Sequence, residues 1–60
     1  MFQLIRSYVD DKGNVSTATE STFDLSAALI AASIYIKDRD LCAISIIDRD
    51  HDVDVLNWVQ

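Results

Sequence analysis

The amino-acid sequence predicts a small α+β domain, in which one helix covers a single antiparallel or mixed sheet and the elements follow the order β-β-α-β-β. Three observations support this class. The first third of the chain contains two β-prone segments around a turn, the middle contains one helical segment, and two further β-prone segments follow it. Sixty residues is the size of one domain, so we expect residues 1–60 to fold as a single unit.

The N-terminal part of the chain predicts a β-hairpin. Phe2 to Val9 (FQLIRSYV) alternates with a period of two, as a half-buried strand does. Residues 10–14 (DDKGN) concentrate turn-forming residues around Gly13, the only glycine. Val15 to Thr22 (VSTATEST) has strand-forming threonines but few large apolar side chains, which is typical of an edge strand. One face of the first strand would carry Phe2, Leu4 and Tyr8.

Leu25 to Lys37 (LSAALIAASIYIK) predicts a helix that is apolar around nearly its whole circumference. Asp24 precedes it and can cap its free amide groups, with Thr22 as the competing cap. One apolar side can cover the sheet, so the other must meet solvent, a copy of this chain or a different protein. We assign Leu25, Ala28, Leu29, Ala32, Tyr35 and Ile36 to the sheet-facing side, and Ala27, Ile30, Ala31 and Ile34 to the second side.

Two strands are expected after the helix. Leu41 to Ile47 (LCAISII) is almost entirely apolar, which favours a central strand beneath the helix. Val53 to Val59 (VDVLNWV) can pair with it through the turn at residues 49–52. Whether the first strand and Leu41 to Ile47 run parallel remains open at this stage. Cys42 is the only cysteine, so no disulfide can form within the chain, and we expect it to pack as a small apolar side chain.

Charge and hydropathy restrict the partners of the chain. Ten acidic residues against five basic ones give a formal net charge of -5, which disfavours nucleic acid and anionic membranes and favours a protein with a basic surface. The N-terminus lacks the pattern of a signal peptide, and the longest apolar run, from Leu25 to Ile36, is too short to span a bilayer. We therefore expect a soluble cytoplasmic protein.

The acidic segment DRDHDVD places Asp48, Asp50, Asp52 and Asp54 at every second position. In an extended strand these carboxylates would lie on one face, about 6.6 Å apart. Such a row could occupy a basic groove in place of the phosphates of a nucleic acid, so we predict that the four aspartates bind a partner. A bent segment would destroy this spacing, and a merely polar hairpin turn is the alternative interpretation.

No catalytic, cofactor or metal site is predicted. The acidic segment begins like a calcium loop, but Val53 and Val59 stand where that loop needs glycine and glutamate. His51, the only histidine, has no nucleophile motif beside it, and charge balancing among the aspartates is its expected role. Trp58 is expected to anchor the core.

These observations predict a non-enzymatic protein-binding module that inhibits or modulates a partner. Compact acidic proteins with this element order are frequent among phage-encoded inhibitors of host enzymes, an analogy that concerns the fold alone and would place the protein in the host cytoplasm. A domain this small gains stability from self-association, so we also predict a homodimer. The alternatives are an accessory subunit that docks through the second helix side, and an enzyme with a composite site across a dimer. The expected dimer contact consists of Ala27, Ile30, Ala31 and Ile34.

Overall fold

Four strands and one helix follow one another in the predicted order in the computed structural model, which describes residues 1–60. The α+β class and the order β-β-α-β-β are therefore confirmed. The helix ends at Tyr35 rather than Lys37, because the backbone N–H groups of Lys37 and Asp38 bond three residues back and form tight turns. The elements are β1 (Phe2–Val9), β2 (Val15–Thr22), α1 (Leu25–Tyr35), β3 (Leu41–Asp48) and β4 (Val53–Val59).

The four strands form one sheet in the order β2-β1-β3-β4, and every neighbouring pair is antiparallel. β2 lies at an edge and β3 in the centre, as their compositions predict. The orientation of β1 against β3, which the sequence left open, is antiparallel. Leu4 of β1 lies between Glu20 of β2 and Ile46 of β3, so these three residues share the face that the helix covers.

Local hydrogen bonds fix the predicted hairpin turn and the predicted helix cap. The Asp10 carboxylate accepts bonds from the backbone N–H groups of Asn14 and Lys12 at 2.8 and 2.9 Å, and Gly13 adopts a φ of 83°. The bond from Asn14 is the largest cause that lowers the pKa of Asp10. Asp24 caps α1 by accepting a bond of 2.9 Å from the backbone N–H of Ser26, which confirms the predicted cap.

The core lies between α1 and one face of the sheet. Ala28 and Ala32 of α1 are buried against the sheet, and their small side chains allow the helix to approach the strands closely. Leu29 and Ile36, which were assigned to the sheet-facing side, are 44% and 39% exposed, because the helix is rotated about its axis toward Ala28 and Ala32. The buried residues are Leu4, Ala28, Ala32, Leu41, Ile44 and Ile46.

The opposite face of the sheet has no covering element. Residues that alternate with Leu4 on β1, such as Ile5 and Ser7, point to this face, and no residue on it is fully buried. Cys42 lies where the pairing of β1 with β3 shifts register; it is half-buried, and its Sγ lies 3.2 Å from the carbonyl oxygen of Ser7. α1, the one helix, has eleven residues and does not combine the length and apolarity needed to cross a membrane.

Candidate interaction surfaces

The net negative charge of the side chains is concentrated at one end of the sheet. The start of β1, the β2–α1 connection and the β3–β4 turn meet there, and we call this region the acidic end. Its side chains comprise five aspartates and one arginine, a net charge of -4 out of the total of -5. The opposite end carries four aspartates, two lysines and one arginine, and Arg6 and Glu20 cancel in the middle. The aspartates of the acidic end are Asp24, Asp48, Asp50, Asp52 and Asp54.

The β3–β4 turn bends the segment in which the four alternate aspartates lie. β3 ends at Asp48, residues 49–52 form the turn, and Asp52 takes a φ of 53° before β4 begins at Val53. The chain must reverse here because β3 and β4 pair antiparallel. An evenly spaced row of carboxylates on one extended face is therefore not formed, and nucleic-acid mimicry loses the geometry on which it depended.

Asp48 stabilises this turn, and its side chain is only 17% exposed. It accepts a bond of 3.1 Å from the backbone N–H of Asp50, and its Oδ2 lies 2.8 Å from Nδ1 of His51. The bond with His51 is the largest cause that lowers the pKa of Asp48. The exposed His51 therefore lies in direct contact with an aspartate side chain of the same turn.

The other three aspartates of the predicted partner-binding set are exposed. Asp50 contacts the amino group of Met1, whereas Asp52 and Asp54 form no ion pair. Asp54 pairs with Ile47 and so lies toward the uncovered face of the sheet. No group of three or more histidine, cysteine, aspartate or glutamate side chains is arranged to hold a metal ion.

The second side of α1 forms an apolar surface on the outside of the molecule. Ile30 and Ile34 are 62% and 61% exposed, and Ala27 is exposed beside them. Ala31, the fourth residue of the predicted dimer contact, is half-buried and packs against the core. α1 contains no charged residue from its first position to its last.

An open apolar groove of about 200 Å³ lies between α1 and β4. It exists because α1 lies over β1, with β2 and β3 on either side, and does not reach β4. Trp58 packs against the core, as predicted, but one side of it lines this groove. Sequence analysis missed the groove, since nothing local indicates where the helix lies across the sheet. Its lining residues are Leu29, Ala32, Ser33, Ile36, Leu56 and Trp58.

A polar cluster around Arg6 lies on the other side of the helix, toward β2. The guanidinium group lies over the ring of Tyr35, 4.2 Å from its centre, and Nη1 donates a bond of 3.1 Å to the hydroxyl group of Tyr8. Its Nε is 3.8 Å from the carboxylate of Glu20, which also raises the pKa of Tyr35. The sequence contained one signal of this cluster: Arg6 is the only charged residue on the inner face of β1.

Comparisons with protein-family models, with curated proteins and with solved structures found no match to this chain.

Proposed function

We propose that this protein is a small, acidic, non-enzymatic binding module that inhibits or modulates a partner protein with a basic surface. The observation that carries the proposal is the uneven charge distribution, with a net charge of -4 at the acidic end. A localised negative patch increases the association rate with a positive surface and orients the two molecules. The proposed contact residues are Asp50, Asp52 and Asp54, with Asp48 holding the turn that presents them.

The state of each carboxylate supports this division of roles. Asp52 and Asp54 are exposed and unpaired, so a partner can approach them without breaking an internal ion pair. Asp48 accepts bonds from two backbone N–H groups of the turn and interacts with His51. Exposed carboxylates contribute little to folding stability, so their number at this end is better explained by binding than by stability.

The test compares two variants with the same net charge. Asp52→Asn with Asp54→Asn removes two charges from the acidic end, and Asp11→Asn with Asp40→Asn removes two from the opposite end. Asparagine is suited to position 52 because it tolerates a positive φ. The tagged wild-type chain is used to capture its partner from the source cell, and the affinity of each variant for that partner is measured at two salt concentrations.

We expect the Asp52 and Asp54 variant to bind about tenfold more weakly and with less dependence on salt, and the control variant to bind like the wild type. Equal weakening in both variants would assign the effect to net charge rather than to the acidic end. Unchanged affinity in the first variant would remove the acidic end from the contact.

A second candidate function is an accessory subunit that docks into a larger complex through α1. The exposure of Ile30 and Ile34 favours it, because two adjacent isoleucines on one helix side are an apolar contact surface. Docking of this kind would be insensitive to salt, which distinguishes it from the acidic contact.

The analogy to phage-encoded inhibitors supports a cytoplasmic host enzyme as partner of the first candidate. An enzyme with a composite site across a dimer is the third candidate.

A further inference from the structure

The helix of this protein is apolar on every side, yet its own sheet covers it on one side only. Ala28 and Ala32 are buried against the sheet, whereas Ile30 and Ile34 face outward. Helices that are apolar all round are normally buried all round. We propose that a second copy of the chain covers α1, so that two molecules associate face to face with both helices between the two sheets. This contact uses a surface away from the acidic end, the same helix side that the second candidate function assigns to a larger complex.

The groove beside α1 has the width of one helix. α1 lies over β1, and β4 is two strands away in the sheet order. Strands are about 4.8 Å apart, so a helix placed over β4 would lie about 9.6 Å from α1. Packed helices have axes about 8–10 Å apart. The vacant position above β4 therefore accepts one more helix in side-by-side contact with α1.

The helix of a second copy fits this position by symmetry. The two-fold axis runs parallel to α1 and lies in the layer of the helices, halfway between α1 and the vacant position above β4. Rotation about this axis places each helix over the β4 strand of the other molecule. The outer isoleucines, Ile30 and Ile34, then contact Leu56 and Trp58 of the other copy. Both grooves are filled at once, and the assembly closes as a dimer.

The absence of charge on this surface favours contact with a second copy over contact with a charged partner. Two chains with a net charge of -5 each repel, and this repulsion is smallest where the contacting surfaces carry no charge. α1 contains no charged residue, and the groove is lined by apolar side chains and one serine. A basic partner would find no carboxylate here to pair with, whereas an identical apolar surface is complementary.

A stable dimer requires most of one broad side of the molecule. A specific interface buries about 800 Å² on each partner, which is about one fifth of the 4176 Å² accessible on this chain. The molecule measures 36 × 19 × 16 Å, so its broad side has a projected area of about 680 Å², and the interface would involve nearly all of that side. The uncovered face of the sheet is less suited, because serine and threonine alternate with its aliphatic residues.

The first test measures molecular mass by light scattering at micromolar concentration. We expect the wild type to have twice the chain mass of 6.7 kDa. The variant Ile30→Asp with Ile34→Asp should have the mass of one folded chain. The matched control, Val15→Asp with Val59→Asp, adds the same charge at exposed valines on the uncovered sheet face and should remain a dimer. A wild-type monomer, or a dimer that survives the isoleucine changes, would overturn the proposal.

The second test locates the two-fold axis in a chain that keeps its isoleucines. Ser33 lines the groove, so Ser33→Cys should lie next to its counterpart on the partner helix, whereas Ala27→Cys lies on the opposite flank. Both are made with Cys42→Ser and treated with a short bismaleimide cross-linker. We expect cross-linked dimer from Ser33→Cys only. Cross-linking from Ala27→Cys but not from Ser33→Cys would contradict the face-to-face arrangement.

Discussion

The two outer strands of the sheet have opposite relations to the helix. On the β2 side the helix is attached by polar contacts, in which Arg6 joins the ring of Tyr35 and the carboxylate of Glu20. On the β4 side there is no such attachment, and the apolar groove stays open. α1 is therefore held off-centre by its contacts with one half of the sheet, and the other half keeps an accessible apolar surface.

The difference arises from side-chain size and charge. Ala27, Ala28 and Ala31 let the helix lie close to the end of β2, where they line a shallow cleft of about 120 Å³ with Glu20. On β4 the larger Trp58 packs against the core and lines the groove together with residues of the helix. A single helix is about 10 Å wide and cannot cover both outer strands of a four-stranded sheet. The position of α1 across the sheet therefore determines which outer strand remains accessible.

The largest expected effect is on the free energy of unfolding, and it shows how far the core extends toward β4. Ile44→Ala removes a fully buried side chain beneath the helix, and we expect the free energy of unfolding to fall by about 2–5 kcal/mol. Leu56→Ala removes a half-buried side chain of the otherwise mostly exposed β4 and should cost about half as much in the monomer. Urea denaturation of each variant, in the background of Ile30→Asp with Ile34→Asp, measures both. Equal losses would mean that the β4 side is as well packed as the centre.

An intermediate effect tests the polar attachment on the β2 side. Arg6→Met preserves the length of the side chain but removes the interaction with the Tyr35 ring and leaves Glu20 without its cation, so we expect a loss of about 1–2 kcal/mol in the free energy of unfolding. Arg39→Met is the control, because Arg39 is exposed and forms no ion pair. If both variants unfold at the same urea concentration, the cluster does not hold the helix in place.

The smallest effect concerns pH and the two ends of the sheet. Hydrogen bonds lower the pKa of Asp10 and of Asp48 below the ordinary value of 3.8. A carboxyl group with a lowered pKa in the folded state stabilises the fold above its unfolded pKa, and this contribution is lost as the pH falls through the folded pKa. We expect thermal unfolding scans to show a melting temperature that decreases below about pH 4. Asp48→Asn should reduce the slope, and an unchanged slope would exclude Asp48 as a contributor.

Much of the secondary structure could be predicted because its signals are local. The period-two alternation from Phe2 to Val9, the glycine turn at Gly13 and the cap at Asp24 each act within a few residues, and the structure contains all three. The composition of β2 likewise predicted its edge position, since a strand with few large apolar side chains cannot occupy the centre of a sheet. Helix length was less accurate, because the chain after Tyr35 has no glycine to end the helix sharply.

The candidate surfaces depended on tertiary structure to different degrees. Composition and helical periodicity alone establish that the chain is acidic, that α1 is apolar around nearly its whole circumference, and that Ile30 and Ile34 lie together on it. Only the tertiary structure decided that the Asp48 to Asp54 segment bends, and that α1 lies over β1 and leaves a groove beside β4. Both features result from strand pairing and helix packing between residues far apart in the chain. Such long-range contacts determine where a segment lies in the fold, whereas local sequence determines only its secondary structure.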